Sequence, residues 1–174
     1  LDEVGPDRWY AEDAAIDAML RDRFANAVAD ARNGAYDHWI LSGRSALALL
    51  ILLDQFGRNI HRGSAEAFAG DAHAVALAKR ALNLDLDLWV DEPERQFFYL
   101  PLMHSESQCD QDRCVRLMLT RMPETNARNL PHAIAHRNII RRFGRFPFRN
   151  SALGRCCTAA GRAMYPARSP AMLR

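Results

Sequence analysis

The sequence predicts an all-α protein, either an antiparallel helical bundle or a helical-hairpin array of about six or seven helices, folded as a single domain over residues 1–174. Three observations carry this reading. Apolar residues recur at intervals of three and four through nearly the whole chain, the period of helices with one buried face. No stretch alternates strictly at period two between residues suited to a hairpin turn, so no sheet is expected. At 174 residues the chain can bury roughly two-thirds of its unfolded surface in one core.

The elements follow in order. Ile16, Leu20, Phe24, Ala27, Val28 and Ala31 define a first helix that stops at Asn33–Gly34, a left-handed C-terminal signal. "SALALLILLDQF" (45–56) is apolar all round until Asp54 and should be the central, buried helix. Gly63–Ser64 breaks the chain, with Ser64 as N-cap of a helix that turns Phe68, Ala72, Val75, Ala76 and Leu82 inward. Another helix starts at Asp91 with Pro93 in its first turn and carries Phe97, Phe98 and Leu100, while Pro101 calls for a kink or an early stop. A helix over about 106–121 ends before Pro123, and one over about 131–143 is opened by Asn129 and Pro131. "GRFPFRNSALG" (144–154) reads as a loop, and the tail 166–174 as frayed. Short connections imply antiparallel neighbours.

Composition is ordinary for a soluble globular protein, 49% apolar and 25% charged. The longest apolar run, "ALALLILL" (46–53), is too short for a bilayer, so no membrane partner is expected. The acidic start "LDEVGPDRWYAED" lacks the regions of a signal peptide, which makes a cytoplasmic location the expectation. Cys109, Cys114, Cys156 and Cys157 form no C-x-x-C pair, and the adjacent two cannot readily bridge, so reduced packing cysteines are expected. The net charge of +2 is unevenly placed. Residues 1–37 hold nine acidic and four basic residues, whereas ten arginines and no acid follow Glu124. Neutralisation of the acidic first half by the basic second half is the first reading, and a bound anion the second.

Three polar clusters interrupt the apolar helices. In "LLDQFGRNIHRG" (52–63), Asp54 and Arg58 are four apart, as are Gln55 and Asn59, so each pair shares a helical face. In "FFYLPLMHSES" (97–107), His104, Ser105 and Glu106 end an apolar run. In "RRFGRFPFRN" (141–150), four arginines alternate with three phenylalanines, preceded by His132 and His136 on one helical face. Phe143, Phe146 and Phe148 should anchor this loop while Gly144 and Pro147 set its turns. Arg145, Arg149 and Asn150 would then face a pocket shared with Asp54, Arg58, Asn59, His104 and Glu106. Arginine suits such a place, because its planar fork binds carboxylate or phosphate through two parallel hydrogen bonds. The pocket is therefore expected to take a small anionic ligand.

"LLDQFGRNI-RG", "FYLPLMHSE", "H-x-x-II-RFGRFP-x-RN" and "LGR" occur in that order between about 40 and 155, with a weaker match at "RWY" (8–10). Together they resemble the bacterial proteins of the domain-of-unknown-function 924 family. The resemblance implies a tetratricopeptide-like all-helical fold, although no 34-residue repeat with that consensus is visible. It implies no reaction. The chain departs from the family pattern in three places. An aromatic-rich "FWFG" start is absent, which suggests N-terminal trimming; Phe148 stands where members commonly carry histidine; and "CCTAAGRAMYPARSP" follows Arg155 in place of serine, threonine and acidic residues.

Other chemistries are less well supported. His104, Glu106, His136 and Asp54 are suitable metal donors, but His104 and Glu106 do not share a helical face and His132-x-x-x-His136 lacks the glutamate of H-E-x-x-H; no metal and no cofactor is expected. Ser105 beside His104 is not a triad, and neither a nucleophile elbow, a phosphate loop nor a dinucleotide fingerprint is present. Nucleic acid is disfavoured, since packing accounts for the phenylalanines among the arginines. Two alternatives to the anion pocket stand: a tetratricopeptide-like scaffold with a protein partner, and a hydrolase with His104 or His136 as general base, Glu106 being the third catalytic candidate.

Overall fold

The structure, a computed structural model, describes residues 3, 5, 8–10 and 13–156. Among these it holds six α-helices linked by short 3₁₀ turns and no strand. Helix α1 (Ala14–Arg32) opens on Asp13, whose Oδ1 accepts the backbone N–H of Ala15 and Ile16. This satisfies donors that the first turn leaves free. It ends where Gly34 takes φ +83°, the left-handed turn the sequence signalled.

Helix α2 runs over 43–60 and is the most buried of the longer helices, with Ala46, Leu49, Leu50 and Leu53 at 1% exposure or less. It is not uniform. Residues Ile51–Phe56 form a π turn, in which one residue more than an α turn is accommodated before the helix resumes at Gly57–Ile60. Nor is it buried all round, because Ala48 is exposed.

After α2 the structure departs from the expected cap. Ser64 makes no side-chain cap and its Oγ donates to His61 O; Ala65–Phe68 is a 3₁₀ turn, and α3 (Asp71–Asn83) begins after Gly70. Its buried face is Ala74, Leu77, Ala78, Ala81 and Leu82, while Ala72 and Ala76 are exposed. Alanines at every second position gave the stripe no clear phase, and the 3₁₀ turn uncouples Phe68 from it. Gly70 is needed for contact, since a Cβ there would stand 2.7 Å from Leu53 O in the π turn. That approach sets the start of α3 against α2.

The segment from Asp91 is a 3₁₀ turn (Glu94–Phe98) followed by the short helix α4 (Leu100–His104). Pro101 opens α4, where its missing N–H costs nothing, and does not kink a longer helix. Helix α5 (Gln108–Arg121) ends before Pro123 as expected. Helix α6 (Asn126–Phe143) starts five residues earlier than Pro131 suggested. Asn129 does not cap it: the side chain is buried and its Nδ2 donates to Gln96 Oε1 at 2.6 Å. Asp112 early in α5 lies 3.0 Å from Arg141 in the last turn of α6, so this helix pair is antiparallel.

The main core gathers side chains from α1 to α6, and a satellite cluster of Ile139, Ile140 and Phe146 lies under the loop after α6. Phe146 is fully buried, with Phe143 and Phe148 packed against it. Gly144, at φ +66°, closes α6 by donating to Ile140 O. Cys114 is a buried packing cysteine, but Cys109 and Cys156 are exposed. Cys157 and the tail 166–174 lie outside the described residues. No helix among the described residues is long and apolar enough to cross a membrane.

Replacing Gly70 with alanine should destabilise the protein by about 1–3 kcal/mol, because the added carbon meets backbone and cannot be relieved by a rotamer change. Urea unfolding of Gly70→Ala checks this; a midpoint unchanged from wild type would show that α3 can be displaced without loss.

Candidate functional site

Asp54 lies in the π turn with 1% of its surface exposed. Three groups meet its carboxylate. His104 Nδ1 is 2.7 Å from Oδ1 and 2.9 Å from Oδ2; Arg58 Nη2 donates to Oδ1 at 3.1 Å; Gln55 Nε2 donates to Oδ2. Burial alone would raise the pKa of Asp54, but His104 and Arg58 beside it hold the carboxyl well below the usual carboxylate range. Because the carboxylate only accepts, Nδ1 of His104 carries the hydrogen and Nε2 is left as the acceptor of the neutral ring. Burial, and after it Arg58, lowers the His104 pKa against the pull of Asp54, so the ring is neutral at pH 7.

A second carboxylate bridges the arginines. Asp71, the first residue of α3, accepts Arg58 Nη2 at 2.8 Å on Oδ1 and Arg149 Nη1 at 3.0 Å on Oδ2. The Arg149 guanidinium is 4.7 Å from the Phe68 ring centre, 4.6 Å from that of Phe146 and 5.8 Å from that of Phe148. Phenylalanines and arginines therefore share the loop because the rings form the walls in which Arg149 is stacked. Burial, and then Arg58, lowers the Arg149 pKa to about 10, which leaves it charged at neutral pH.

His136 on α6 approaches from the other side, its ring centre 6.2 Å from that of His104 and 5.4 Å from that of Phe146. Its Nδ1 donates to the His132 carbonyl at 2.8 Å, one turn back. Burial, and then His104, lowers its pKa to about 4. Glu106 fixes the loop: its Oε1 accepts Phe146 N–H at 2.8 Å, and Arg155 contacts both of its oxygens at 2.7 and 2.9 Å. Burial would raise the pKa of Glu106, but these bonds lower it.

Of the residues singled out in the sequence, Asp54, Arg58, His104 and Arg149 thus form one connected cluster, with His136 against His104 and Glu106 holding the adjoining loop. Asn150 is buried beside them and its backbone carbonyl accepts from Arg155 N. Two are placed elsewhere. Asn59 does not pair with Gln55; its Nδ2 donates to Asp17 Oδ1 on α1. Arg145 is half-buried and makes no hydrogen bond or ion pair with the described residues. Asp71 and Arg155 were not anticipated: Asp71 read as an ordinary first-turn acid, and Arg155 only as part of "LGR". Arg58, Asp71 and His104 keep 20, 17 and 16% of their side-chain surface, so solvent reaches the cluster at these groups. Among the described residues no three His, Cys, Asp or Glu side chains are grouped to hold a metal ion. A shielded carboxylate, a neutral imidazole and two arginines can move a proton and orient a small polar molecule.

Two expectations follow. Arg149→Ala should cost roughly 3 kcal/mol, because it empties the ring cage and strips Asp71 of one cation, whereas Arg145→Ala should change stability by less than about 0.5 kcal/mol. Thermal or urea unfolding of both variants separates them. The pH profile should show His136 directly. Its folded pKa near 4 lies below the ordinary 6.5, so the unfolded chain binds a proton first as pH falls. Its contribution is then fully present above 6.5 and is lost between 6.5 and 4, by roughly 3 kcal/mol at 1.4 kcal/mol per pH unit. In His136→Phe that part of the decline should disappear, and a profile identical to wild type would contradict the assignment.

Comparison with known proteins agrees with this architecture. Against curated proteins nothing matches. The solved structure of a protein of unknown function from Agrobacterium tumefaciens, ATU0120, is similar at 41% identity over 94% of this chain and 91% of that one, with a TM-score of 0.87. The family model described as a bacterial protein of unknown function, DUF924, matches residues 2–165, and the chain belongs to that family.

Proposed function

We propose that the cluster around Asp54 is an acid–base site in which His104 acts as general base on a small polar molecule that reaches it from solvent. The observation that carries this is the Asp54–His104 pair: both carboxylate oxygens lie within 2.9 Å of Nδ1, and Nε2 makes no bond to the described residues. Fixing Nδ1–H on a buried anion sets the tautomer and aims Nε2, and it stabilises the imidazolium once a proton is taken. A base must be neutral to work, and the lowered His104 pKa supplies that at pH 7. The reaction class that uses such a group most directly is hydrolysis, with Nε2 drawing the proton from an attacking water.

A second reading, binding of a small anion without chemistry, is favoured by Arg145, which has no partner among the described residues and lies four positions from Arg149. Against it, Arg58, Arg149 and Arg155 already have Asp54, Asp71 and Glu106. An interaction scaffold would be indifferent to the state of His104.

Diethylpyrocarbonate, which acylates neutral imidazole nitrogen, tests the base without knowledge of the substrate. His104 should be modified faster than His136, with a rate that falls as pH drops below its pKa. A panel of p-nitrophenyl esters and phosphates should then show turnover that His104→Gln abolishes at unchanged melting temperature. An unreactive His104, or activity retained in His104→Gln, rejects the acid–base reading; stabilisation by inorganic phosphate that Arg145→Ala removes, with no turnover, selects the anion reading.

A further inference from the structure

A cavity of about 590 Å³ opens between α1 and α2, on a face of α2 that Asp54 does not reach. Its volume falls within the range of small-molecule sites. Met19, Leu20 and Phe24 of α1 and Ala48, Leu52 and Phe56 of α2 form its sides. Two aromatic pairs also line it: Tyr36 and Trp39, stacked with ring centres 4.7 Å apart, and Trp9 and Phe97, tilted at 5.0 Å. Ala48 is exposed in the lining, so a larger side chain at that position would enter the cavity.

The polar groups in the wall are unusual in what they leave free. Gln55 and Asn59 both line the cavity, yet the amide nitrogen of each is committed inside the protein, to Asp54 and to Asp17. Each carboxamide oxygen makes no bond to the described residues, so the wall presents two acceptors. Arg44 lies about three turns of α2 away and makes no ion pair with the described residues, whereas of the other charged lining residues Arg8 is paired with Asp13 and Glu3 with Arg23, and Glu94 is the fourth.

We propose that this cavity binds an elongated aromatic small molecule with an N–H donor for the Gln55 and Asn59 oxygens and an anionic group for Arg44. Flat rings match walls made of Phe24, Phe56, Trp39 and Trp9. The donor is required because the site has acceptors whose own donors are already used, and a ligand lacking one would bury them unpaired. The negative group belongs at Arg44, because this lining cation makes no ion pair with the described residues, whereas the other lining arginine, Arg8, is paired with Asp13. The site is separate from the His104 cluster and stands whether or not that cluster is catalytic.

The probe is 2-anilinonaphthalene-6-sulfonate, which carries an aromatic body, an N–H and a sulfonate. The protein is Trp89→Phe, because Trp89 is 80% exposed and outside the cavity, so that Trp9 and Trp39 report alone. Energy transfer from these tryptophans should saturate at one probe per chain. Arg44→Gln should weaken binding about fivefold or more, the worth of a single ion pair at a partly open site. Ala48→Phe should abolish it with the melting temperature retained. Should Ala48→Phe fail to fold, amide shift mapping on the wild-type protein decides: perturbations confined to the facing sides of α1 and α2 support the site. Non-saturating binding, perturbations centred on Leu84–Trp89, or binding indifferent to Arg44→Gln would overturn it. So would sedimentation showing that a second copy of the chain, not the probe, covers this face.

Discussion

The buried Asp54 carboxylate is the constraint around which the middle of the molecule is arranged. An ionised carboxylate at 1% exposure is tolerable only when its oxygens are met by charge and hydrogen bonds. Two elements of the structure answer that demand. Helix α2 supplies Arg58 and Gln55 from the same π turn and the turn after it, and α4 supplies His104. Arg58 in turn needs more than a shared oxygen, and Asp71 at the start of α3 provides it. Asp71 then has a second oxygen to satisfy, which Arg149 does from the far end of the sequence. Each partner creates the need for the next, and the chain of demands runs from α2 through α3 to the loop after α6.

The same logic explains how a short helix can hold His104 in place. Helix α4 has five residues, too few to be stable by itself. Its C-terminal carbonyls would be orphaned in the core, but Gln111 of α5, fully buried, directs its amide nitrogen at the carbonyls of Leu102, Met103 and Ser105. Ser105 adds a bond from Oγ to Asp110 Oδ2 at 2.8 Å, and Asp110 is paired with Lys79, the one lysine of the chain. His104 is thus positioned by residues that never touch it.

Periodicity disclosed most of the helices, and turn residues disclosed most of their ends, because those signals are local. Asn33–Gly34 and Pro123 mark real boundaries. The pairing of Asp54 with Arg58 was legible for the same reason, being four residues apart on one helix. What failed was information held elsewhere in the chain. The expected Gln55–Asn59 pair is broken because the π turn alters the register and Asp54 and Asp17 compete for the amides. The face of α3 was misjudged because alanine is small enough to be buried or exposed at little cost. Asp71 has no local mark of its role; only Gly70, which permits the approach to Leu53, hints that this helix start is held close. Among the described C-terminal arginines, Arg149 pairs with Asp71 of the first half, whereas Arg141 and Arg155 pair with Asp112 and Glu106 of the second. Composition can show that charges must be balanced and cannot say by which partner.

The π turn also explains why one helix serves two surfaces. In a regular α-helix adjacent residues diverge by about 100°, and a side chain next to a buried acid would be carried away from it. The wider turn over Ile51–Phe56 lets Gln55 line the cavity between α1 and α2 while its amide still reaches Asp54. One hydrogen bond therefore separates a solvent-accessible imidazole from an aromatic-walled cavity. An occupant that pulled the Gln55 amide away would remove a donor from Asp54, strengthen the hold of that carboxylate on the His104 proton, and make the imidazole more basic. The two faces of α2 meet in Gln55, which the π turn places so that it lines the cavity and donates to Asp54 at once.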